Sequence, residues 1–364
     1  MVLKTAEALQ VSDSSSQFTN NLYNVLAETS PGNIIFSPIN LHAVLSMVYQ
    51  GAQGTTAEKF ASSLKVPEAK IARDGYSVIM QRLISVPKVS ILIANKVYLM
   101  EGPTLLPDFS EAVTKDFLSD VQLLNFGDQT AAAATINTWV EEKTQEKIKD
   151  LVKEEDLNES TRLVLVNAIY FKATWMYVFD EATITEPFYL NDVDSVNVPM
   201  MHMRKTLCFN IFKDLEAKMR DGIAELEKKL ATVNLAKITS KVYNQPVTLT
   251  LPKFKFEQTI DLEDSLTKLG LGEIYDRSAA NFSGMITSKE PLHVSKVIQK
   301  VFFQVNEDGS DAPPTPAISG RRDGWYDPER NITITADRPF LFVLLEKSTG
   351  THILFSGKIM NPLL

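Results

Sequence analysis

The sequence predicts a mixed α+β fold in which helices pack around β-sheets within one large domain. Apolar residues make up 44% of the 364 residues and charged residues 23%, which is typical of a soluble globular protein with a large core. Segments with helical spacing of apolar residues alternate along the chain with nearly continuous apolar runs. No change in composition marks a boundary, so we expect a single domain over residues 1–364.

Four helices are predicted from their apolar spacing. The first spans Gln17–Ala27. Ser37 and Pro38 predict the start of the second, because serine can cap free backbone amides and proline at the first helical position loses no hydrogen bond. The third covers roughly Ala69–Leu83. The fourth covers Ala131–Val152, with a charged face that we interpret as solvated.

Long apolar runs predict the strands. Val89–Met100 reads as one strand, and Leu163–Phe171 reads as a strand that is covered on both faces. Asn167 lies in the middle of this second run and must find partners, since an unpaired buried amide costs about 1–3 kcal/mol. Two further apolar runs, Leu292–Val305 and Ile332–Leu345, flank a long polar segment.

Composition argues against several classes of function. The net charge of −8 disfavours nucleic acid as a partner, because phosphate binding needs a basic patch. Cys208 is the single cysteine, so no intrachain disulfide is possible, and no catalytic-serine, phosphate-loop or dinucleotide motif predicts an enzyme or a cofactor. No metal site is expected, because the four histidines have no ligand spacing: His42, His202, His293 and His352.

The sequence also bears on location. It contains neither a signal-peptide pattern nor an apolar stretch of 18 residues, so no membrane association is expected. Three glycosylation sequons nevertheless leave a secreted protein open, at Asn158, Asn281 and Asn331. We therefore expect an extracellular monomer, with a cytoplasmic location as the alternative.

The segment from Asn306 to Arg330 has little helical or strand periodicity. It is about 25 residues long, whereas structureless connections beyond about 12–15 residues are usually functional or disordered. Arg321 and Arg322 lie near its middle. This pattern predicts an exposed loop that is cut or bound by another molecule.

Several long motifs, in order along nearly the whole chain, resemble the serpin family. The matching segments are FSPINLHAVLSMVYQGAQGTTAEKF from Phe36, INTWVEEKTQEKI from Ile136, LVNAIYFKATW from Leu165, LPKFKFEQTIDLEDSLTKLGL from Leu251, VSKVIQKVFFQVNEDGSDA from Val294 and DRPFLFVLLEKSTGTHILFSGKIMNP from Asp337.

The resemblance implies helices around three β-sheets and an exposed reactive loop, here about residues 306–330. It also implies a five-stranded sheet that opens to accept this loop as a sixth strand. In an inhibitory serpin the target protease cleaves the loop, remains acyl-linked to it, and is dragged to an inactive state when the loop inserts. The partner implied is a protease.

The resemblance assigns two groups of residues to the opening of that sheet. Ser37 and Asn167 match family positions in a polar cluster, whereas Asn40 replaces a hydroxyl residue and Gln299 replaces a histidine. At the top of the sheet, Trp175 is expected to lie near an ion pair between Lys253 and Glu307. The hinge of the loop is expected to be Glu307, Asp308, Gly309, Ser310, Asp311 and Ala312.

The proline block after the hinge departs from the family pattern. Pro313, Pro314 and Pro316 stand where the family carries small residues, and a proline cannot donate a hydrogen bond to a central strand. Slow insertion would let the protease deacylate first. We therefore hypothesise that the protein behaves partly or wholly as a substrate, and a stable, SDS-resistant complex at near one-to-one stoichiometry would refute this.

A second departure lies near residues 213–223, where two apolar strands of a core sheet are apparently missing. The chain passes directly from FKDLEAKMR to GIAELEKKL, and the region from Lys213 to Lys241 shows helical charge spacing without a strand pattern. Either other segments fill this space or the chain is a processing variant of poor stability.

The family's spacing from Glu307 places the scissile region at Arg321, Arg322, Asp323 and Gly324. An exposed arginine suits the carboxylate at the base of the trypsin specificity pocket, so a trypsin-like serine protease is favoured. Asp323 would instead suit an aspartate-directed protease, and a cysteine-protease target is also open. The alternative function is a non-inhibitory binding protein or a plain protease substrate.

Overall fold

The computed structural model describes residues 2–85, 89–173, 175, 177–179, 182–209, 222–230, 243–288, 290–307, 332–347 and 351–364. The α-helices in these ranges are α1 (Val2–Thr29), α2 (Pro38–Tyr49), α3 (Gly54–Leu64), α4 (Ala69–Leu83), α5 (Pro107–Glu111), α6 (Gln129–Lys143), α7 (Ile223–Leu230) and α8 (Glu263–Leu266). Short π or 3-10 turns occur at Ala112–Asp116, Glu154–Asp156, Thr267–Leu271 and Gly272–Tyr275. None of the described helices is both long and apolar enough to cross a membrane.

The strands in the same ranges are β1 (Ile34–Phe36), β2 (Val89–Met100), β3 (Thr104–Leu105), β4 (Asp120–Leu124), β5 (Leu163–Ala173), β6 (Ile184–Tyr189), β7 (Ser195–Phe209), β8 (Tyr243–Pro252), β9 (Phe254–Asp261), β10 (Ile286–Thr287), β11 (Lys296–Val305), β12 (Ile332–Thr335), β13 (Phe340–Glu346) and β14 (His352–Ile359).

A five-stranded sheet, here called the central sheet, organises the fold. Its strand order is β4-β2-β5-β11-β9. Strand β2 runs antiparallel to β5, and β11 runs antiparallel to β9, but β5 and β11 are parallel neighbours. Their register extends over eight pairs, from Val164 opposite Lys296 to Phe171 opposite Phe303.

The remaining strands form two larger sheets and a ribbon. The order is β12-β8-β7-β6 in a four-stranded sheet and β1-β14-β13 in a three-stranded sheet, while β10 pairs with β3. Together with the central sheet and the surrounding helices, this is the predicted mixed α+β fold, with the three main sheets that the family resemblance implies.

Both faces of the central sheet are covered, as the apolar run at Leu163–Phe171 predicts. Side chains of alternate residues point to opposite faces of a strand. In β5, Leu165 and Ile169 join the main core, which also contains α2, whereas Val166 and Ala168 join a second apolar cluster with α6. A strand that is buried on both faces therefore reads as continuously apolar.

Helix α2 begins at Pro38 as predicted, but Ser37 does not cap it. The Ser37 side chain makes no capping hydrogen bond. Its hydroxyl instead donates to the carbonyl oxygen of Leu354 in β14, at 2.6 Å. The predicted capping role is therefore wrong, because the fully buried hydroxyl ties the start of the helix to the three-stranded sheet.

Helix α1 is longer than the predicted Gln17–Ala27 and begins at Val2. Its first half is rich in serine and lacks an apolar stripe, but several of these serines are buried and bonded. The hydroxyl of Ser12 donates to the carbonyl oxygen of Thr351, and that of Ser14 donates to the carbonyl oxygen of Lys65, both at 2.7 Å. Tertiary hydrogen bonds therefore stabilise a helical stretch that apolar spacing does not reveal.

Helix α6 is shorter than the predicted Ala131–Val152 and ends at Lys143. Gln145 and Glu146 adopt left-handed backbone conformations, with φ of 50° and 59°, and this breaks the helix. The apolar residues that continue the helical spacing are buried in the second cluster, where they pack as an irregular segment: Ile148, Leu151, Val152 and Leu157.

The apparent loss of two strands near residues 213–223 falls mostly outside the described residues, since residues 210–221 are not among them. Helix α7 follows, and Glu227 attaches it to the rest of the fold. The Glu227 carboxylate accepts a hydrogen bond from the Tyr23 hydroxyl at 2.8 Å and pairs with the Lys358 ammonium at 3.1 Å. The Lys358 side chain is 5% exposed, so this is a largely buried ion pair.

Candidate functional site

The line along which β5 and β11 meet is here called the seam. Its two strands are parallel, and this arrangement would suit a further strand that ran between them in the opposite direction. The described residues place no strand between β5 and β11. Because these two strands are parallel, a strand that entered between them in the opposite direction would be antiparallel to both. The chain leaves β11 at Val305, and Asn306 and Glu307 are the last residues described before the predicted loop.

A chain of buried amides holds the inner face of the seam closed. Asn95 of β2, Asn167 of β5 and Gln299 of β11 lie directly opposite one another in register. The Gln299 amide donates to the Asn167 side-chain oxygen at 2.5 Å, and the Asn167 amide donates to the Asn95 side-chain oxygen at 2.7 Å. The Asn95 amide donates in turn to the Asn40 side-chain oxygen of α2, at 2.6 Å.

Gln299 also connects this chain to the start of α2. Its side-chain oxygen accepts from the Ser37 backbone N–H at 2.9 Å, and its amide donates to the Ser37 carbonyl oxygen at 3.0 Å. The side-chain amide nitrogen of Asn40 is buried and has no hydrogen-bond partner among the described atoms. The closed arrangement therefore satisfies most of its polar groups, but not all of them.

The two residues that follow β11, Asn306 and Glu307, are bonded to side chains from other segments; this end of the strand is called its top. The Trp175 indole N–H donates to the carbonyl oxygen of Asn306 at 2.8 Å. The Glu307 carboxylate accepts from the Thr183 hydroxyl at 2.6 Å and pairs with the Lys253 ammonium at 2.8 Å. Burial alone would raise the pKa of Glu307, but the bonds from Lys253 and Thr183 outweigh it and lower the pKa to about 2. Glu307 is therefore ionised at neutral pH.

The structure brings the sequence-predicted residues together in two places. Ser37, Asn40, Asn167 and Gln299 form one connected cluster, and Trp175, Lys253 and Glu307 surround the top of β11. The sequence reasoning missed Asn95 and Thr183. Asn95 could have been found, because it is a polar residue at a core-facing position of a mostly apolar strand.

The loop residues stay predictions. The hinge residues Asp308, Gly309, Ser310, Asp311 and Ala312 and the scissile residues Arg321, Arg322, Asp323 and Gly324 lie outside the described residues. Within the described ranges, no three histidine, cysteine, aspartate or glutamate side chains are grouped so that they could hold a metal ion.

Comparison with known proteins gives the family. Residues 13–362 match the family model described as "Serpin (serine protease inhibitor)". The chain belongs to the serpin family. Its relatives include alaserpin of Manduca sexta, which is 32% identical to it over 96% of this serpin and 93% of alaserpin.

Solved serpin structures share the whole fold. Cleaved Serpin 42Da is 30% identical, with a TM-score of 0.86, and the likeness covers 98% of this serpin and 99% of that chain. Human thyroxine-binding globulin in complex with thyroxine is 27% identical, with a TM-score of 0.84 over 98% and 99% of the two chains. The family is thus described as one of serine protease inhibitors, and it also includes a protein that is named for binding a small molecule.

Proposed function

We propose that this serpin inhibits a trypsin-like serine protease as a suicide substrate. In the proposed reaction the catalytic hydroxyl of the protease attacks the carbonyl carbon of Arg322. An ester forms there, and the bond to Asp323 breaks, so that its nitrogen leaves as a new amino group. The freed end of the loop then enters the seam and carries the acyl-linked protease with it.

The observation that carries this proposal is the parallel pairing of β5 and β11, with β11 leading directly into the loop. Insertion would break one ladder and form two antiparallel ladders. An inserted strand of about ten residues gains roughly ten backbone hydrogen bonds in this way, at about 1 kcal/mol net each. Three prolines would remove about 3 kcal/mol of that gain, so insertion would still be favourable.

The loop is long enough for this movement. Strand β5 has 11 residues, which span about 36 Å at roughly 3.3 Å per residue. The segment 308–322 spans about 50 Å when extended, by the same rise. Cleavage near Arg322 therefore leaves enough chain to run the length of β5.

The proline block favours a second candidate, a serpin that is cleaved without trapping its protease or that binds another molecule without inhibiting. Pro313 and Pro314 would each leave a neighbouring carbonyl without its ladder partner during insertion. Since trapping competes with deacylation, a slower insertion shifts the outcome toward hydrolysis. The likeness to thyroxine-binding globulin supports the non-inhibitory form of this alternative.

The choice of protease rests on Arg321 and Arg322. A guanidinium on an exposed loop complements the carboxylate in the specificity pocket of trypsin-like enzymes. An aspartate-directed or a cysteine protease is the alternative target, through Asp323 in the first case. An extracellular location and a monomeric state remain predictions.

The test is incubation with a small panel of serine and cysteine proteases. The proposal predicts an SDS-resistant complex with a trypsin-like enzyme and a released C-terminal fragment whose mass places its start at Asp323. Arg322→Ala should abolish the complex, whereas Arg277→Ala, an exposed arginine elsewhere, should leave it unchanged. Cleavage at Arg322 without any complex would favour the second candidate in its form as a cleaved substrate. No cleavage in the loop by any protease of the panel would refute both inhibition and the substrate form, and would leave the binding form.

A further inference from the structure

Strand β13 lies at one edge of the three-stranded sheet. Among the described residues it is paired on one side only, with β14. Its sequence, FLFVLLE, contains no proline and no charged residue before Glu346. An edge of this kind presents unpaired backbone N–H and C=O groups, on which another strand can pair.

The other edges of the three main sheets carry features that discourage such pairing. Strand β4 contains Asp120, β6 contains Glu186 and Pro187, and β9 contains Lys255 and Glu257. Strands β1 and β12 are only three and four residues long. Charges, prolines and short strands are the usual means of protecting a sheet edge. Among the described edges of these sheets, β13 alone lacks all of them.

Both faces of β13 are apolar, and both are incompletely covered. Toward the main core, the Phe342 ring stacks on Phe303 with 5.3 Å between centroids, and the Phe340 ring lies 6.3 Å from Phe254. Phe340 and Phe342 are nevertheless only half-buried. Val343 points to the opposite face and is 36% exposed. A strand that completed this edge would therefore have to be apolar on both of its faces.

A second copy of β13 meets that requirement. It is apolar at successive positions from Phe340 to Leu345, so it would cover both faces of the first copy. The same residues are uncharged, although the protein as a whole carries a net charge of −8. Two copies would therefore meet at this edge without placing like charges opposite each other.

The register of the sheet sets where two copies would pair. Strands β1, β14 and β13 are antiparallel neighbours, and an antiparallel copy of β13 would continue this alternation. The register of β13 with β14 is regular from Phe340 to Leu344 and shifts after Leu344. The middle of this regular run is Phe342. A two-fold axis at Phe342 would place Phe340 opposite Leu344 of the second copy, and Leu341 opposite its Val343.

We propose that this serpin forms a dimer in solution by antiparallel pairing of β13 with β13 of a second copy. The two three-stranded sheets would join into one six-stranded antiparallel sheet, in the order β1-β14-β13-β13-β14-β1. Because the same surface is used on both copies, the pair is closed and adds no further chains. This inference departs from the monomeric state that the sequence predicts, and it does not depend on loop insertion.

The size of the contact sets the expected strength of the dimer. Five paired residues span about 17 Å at roughly 3.3 Å per residue. A contact between two single strands of this length buries less than the roughly 1,200 Å² that is usual for a stable complex. We therefore expect a reversible dimer with a dissociation constant of about 1–100 µM.

The test is sedimentation velocity of the intact protein from about 1 to about 200 µM, a range that brackets the expected dissociation constant. The mass should rise from that of one chain to that of two. Val343→Lys places two like charges beside the axis and should raise the dissociation constant at least about tenfold. Val343→Thr keeps a neutral, branched side chain and should change it by less than about threefold. Val193→Lys, at a position that is 91% exposed in the turn between β6 and β7, should leave it unchanged.

A second measurement uses the unmodified protein, so it stands even if Val343→Lys does not fold. Alternate amides of an antiparallel strand point to opposite neighbours, so about half of the β13 amides do not bond to β14. Hydrogen exchange of these amides, followed by mass spectrometry, should slow as the protein concentration rises through the same range. Exchange in β2 is the internal reference and should not depend on concentration.

Three results would overturn the proposal. A protein that stays monomeric throughout, with these β13 amides already protected at the lowest concentration, would have the edge covered by its own chain. A monomer whose β13 amides exchange rapidly at every concentration would have an open edge that does not pair with itself. A dimer that Val343→Lys leaves intact would use a different surface.

Discussion

Replacing Gln299 by leucine should weaken the closed state of the central sheet. Gln299 is fully buried, and its loss would leave two groups unpaired, the Ser37 backbone N–H and the Asn167 side-chain oxygen. The Ser37 carbonyl keeps the helical bond from Leu41. Two unpaired buried groups cost about 2–6 kcal/mol together, and burying leucine recovers about 1–2 kcal/mol. The net loss in the free energy of unfolding should be about 0–5 kcal/mol, with a central value of about 2.5 kcal/mol.

The assay is urea unfolding followed by tryptophan fluorescence, with the first transition used for the comparison. Gln304→Leu is the matched control, because Gln304 lies on the same strand but is only half-buried. It should change the free energy of unfolding by less than about 0.5 kcal/mol. Equal midpoints for the two variants would refute the view that the amide chain stabilises the closed seam.

Three further predictions concern other contacts. Acidification should lower the free energy of unfolding by about 1 kcal/mol as Glu307 protonates and loses its ion pair with Lys253. The value is small because this pair is partly exposed and screened by solvent. The pKa of Glu307 is lowered from 4.5 to about 2, so its contribution is present above pH 4.5 and is lost between pH 4.5 and 2. Glu227→Gln should destabilise by about 3 kcal/mol in thermal unfolding, because Lys358 would be buried without its counter-ion. Asn95→Leu should lower the free energy of unfolding, measured in urea, by at least about 2 kcal/mol, because Asn40 and Asn167 each lose a hydrogen bond.

Each of these three predictions has its own control. Glu307→Gln should remove the corresponding part of the pH dependence, and an unchanged pH profile would contradict the assigned pKa. Glu225→Gln weakens an exposed i,i+4 pair with Lys229 on α7 and should lower the free energy of unfolding by less than about 0.5 kcal/mol. Asn197→Leu, at an exposed position of β7, is the reference for Asn95→Leu, and equal losses would count against the amide chain.

The sequence predicts the elements whose burial follows a regular period. Helix α4 matches its predicted range, Ala69–Leu83, and β2 matches Val89–Met100. In α4 and in β2 the apolar residues recur at the spacing that places them on the face toward the core. The need of Asn167 for buried partners is likewise confirmed, since a polar side chain on a strand covered on both faces has to be satisfied within the protein.

The errors occur where tertiary contacts override local spacing. Ser12 and Ser14 are polar in sequence but bond to distant carbonyls, so the first half of α1 could not be seen. Ile148 continues the apolar spacing of α6, yet it belongs to an irregular segment beyond two residues with left-handed backbone. The apolar period reports that a residue is buried, and the same spacing arises when a folded-back segment packs on a sheet.

In the candidate site, too, some residues could be predicted from the sequence and others depend on tertiary contacts. The family resemblance identifies Ser37, Asn40, Asn167 and Gln299, but the partner that joins Asn40 to Asn167 is Asn95 on a different strand. Its place in the cluster depends on the register between β2 and β5, which apolar spacing does not specify.

The measurement that tests the central claim most directly is the melting temperature of the protein before and after a trypsin-like protease has cleaved the loop at Arg322. If the loop enters the seam between β5 and β11, the cleaved protein should melt at a much higher temperature, because a sixth strand has joined the central sheet. An unchanged or lower melting temperature after complete cleavage would contradict insertion, and with it the proposed mechanism of inhibition.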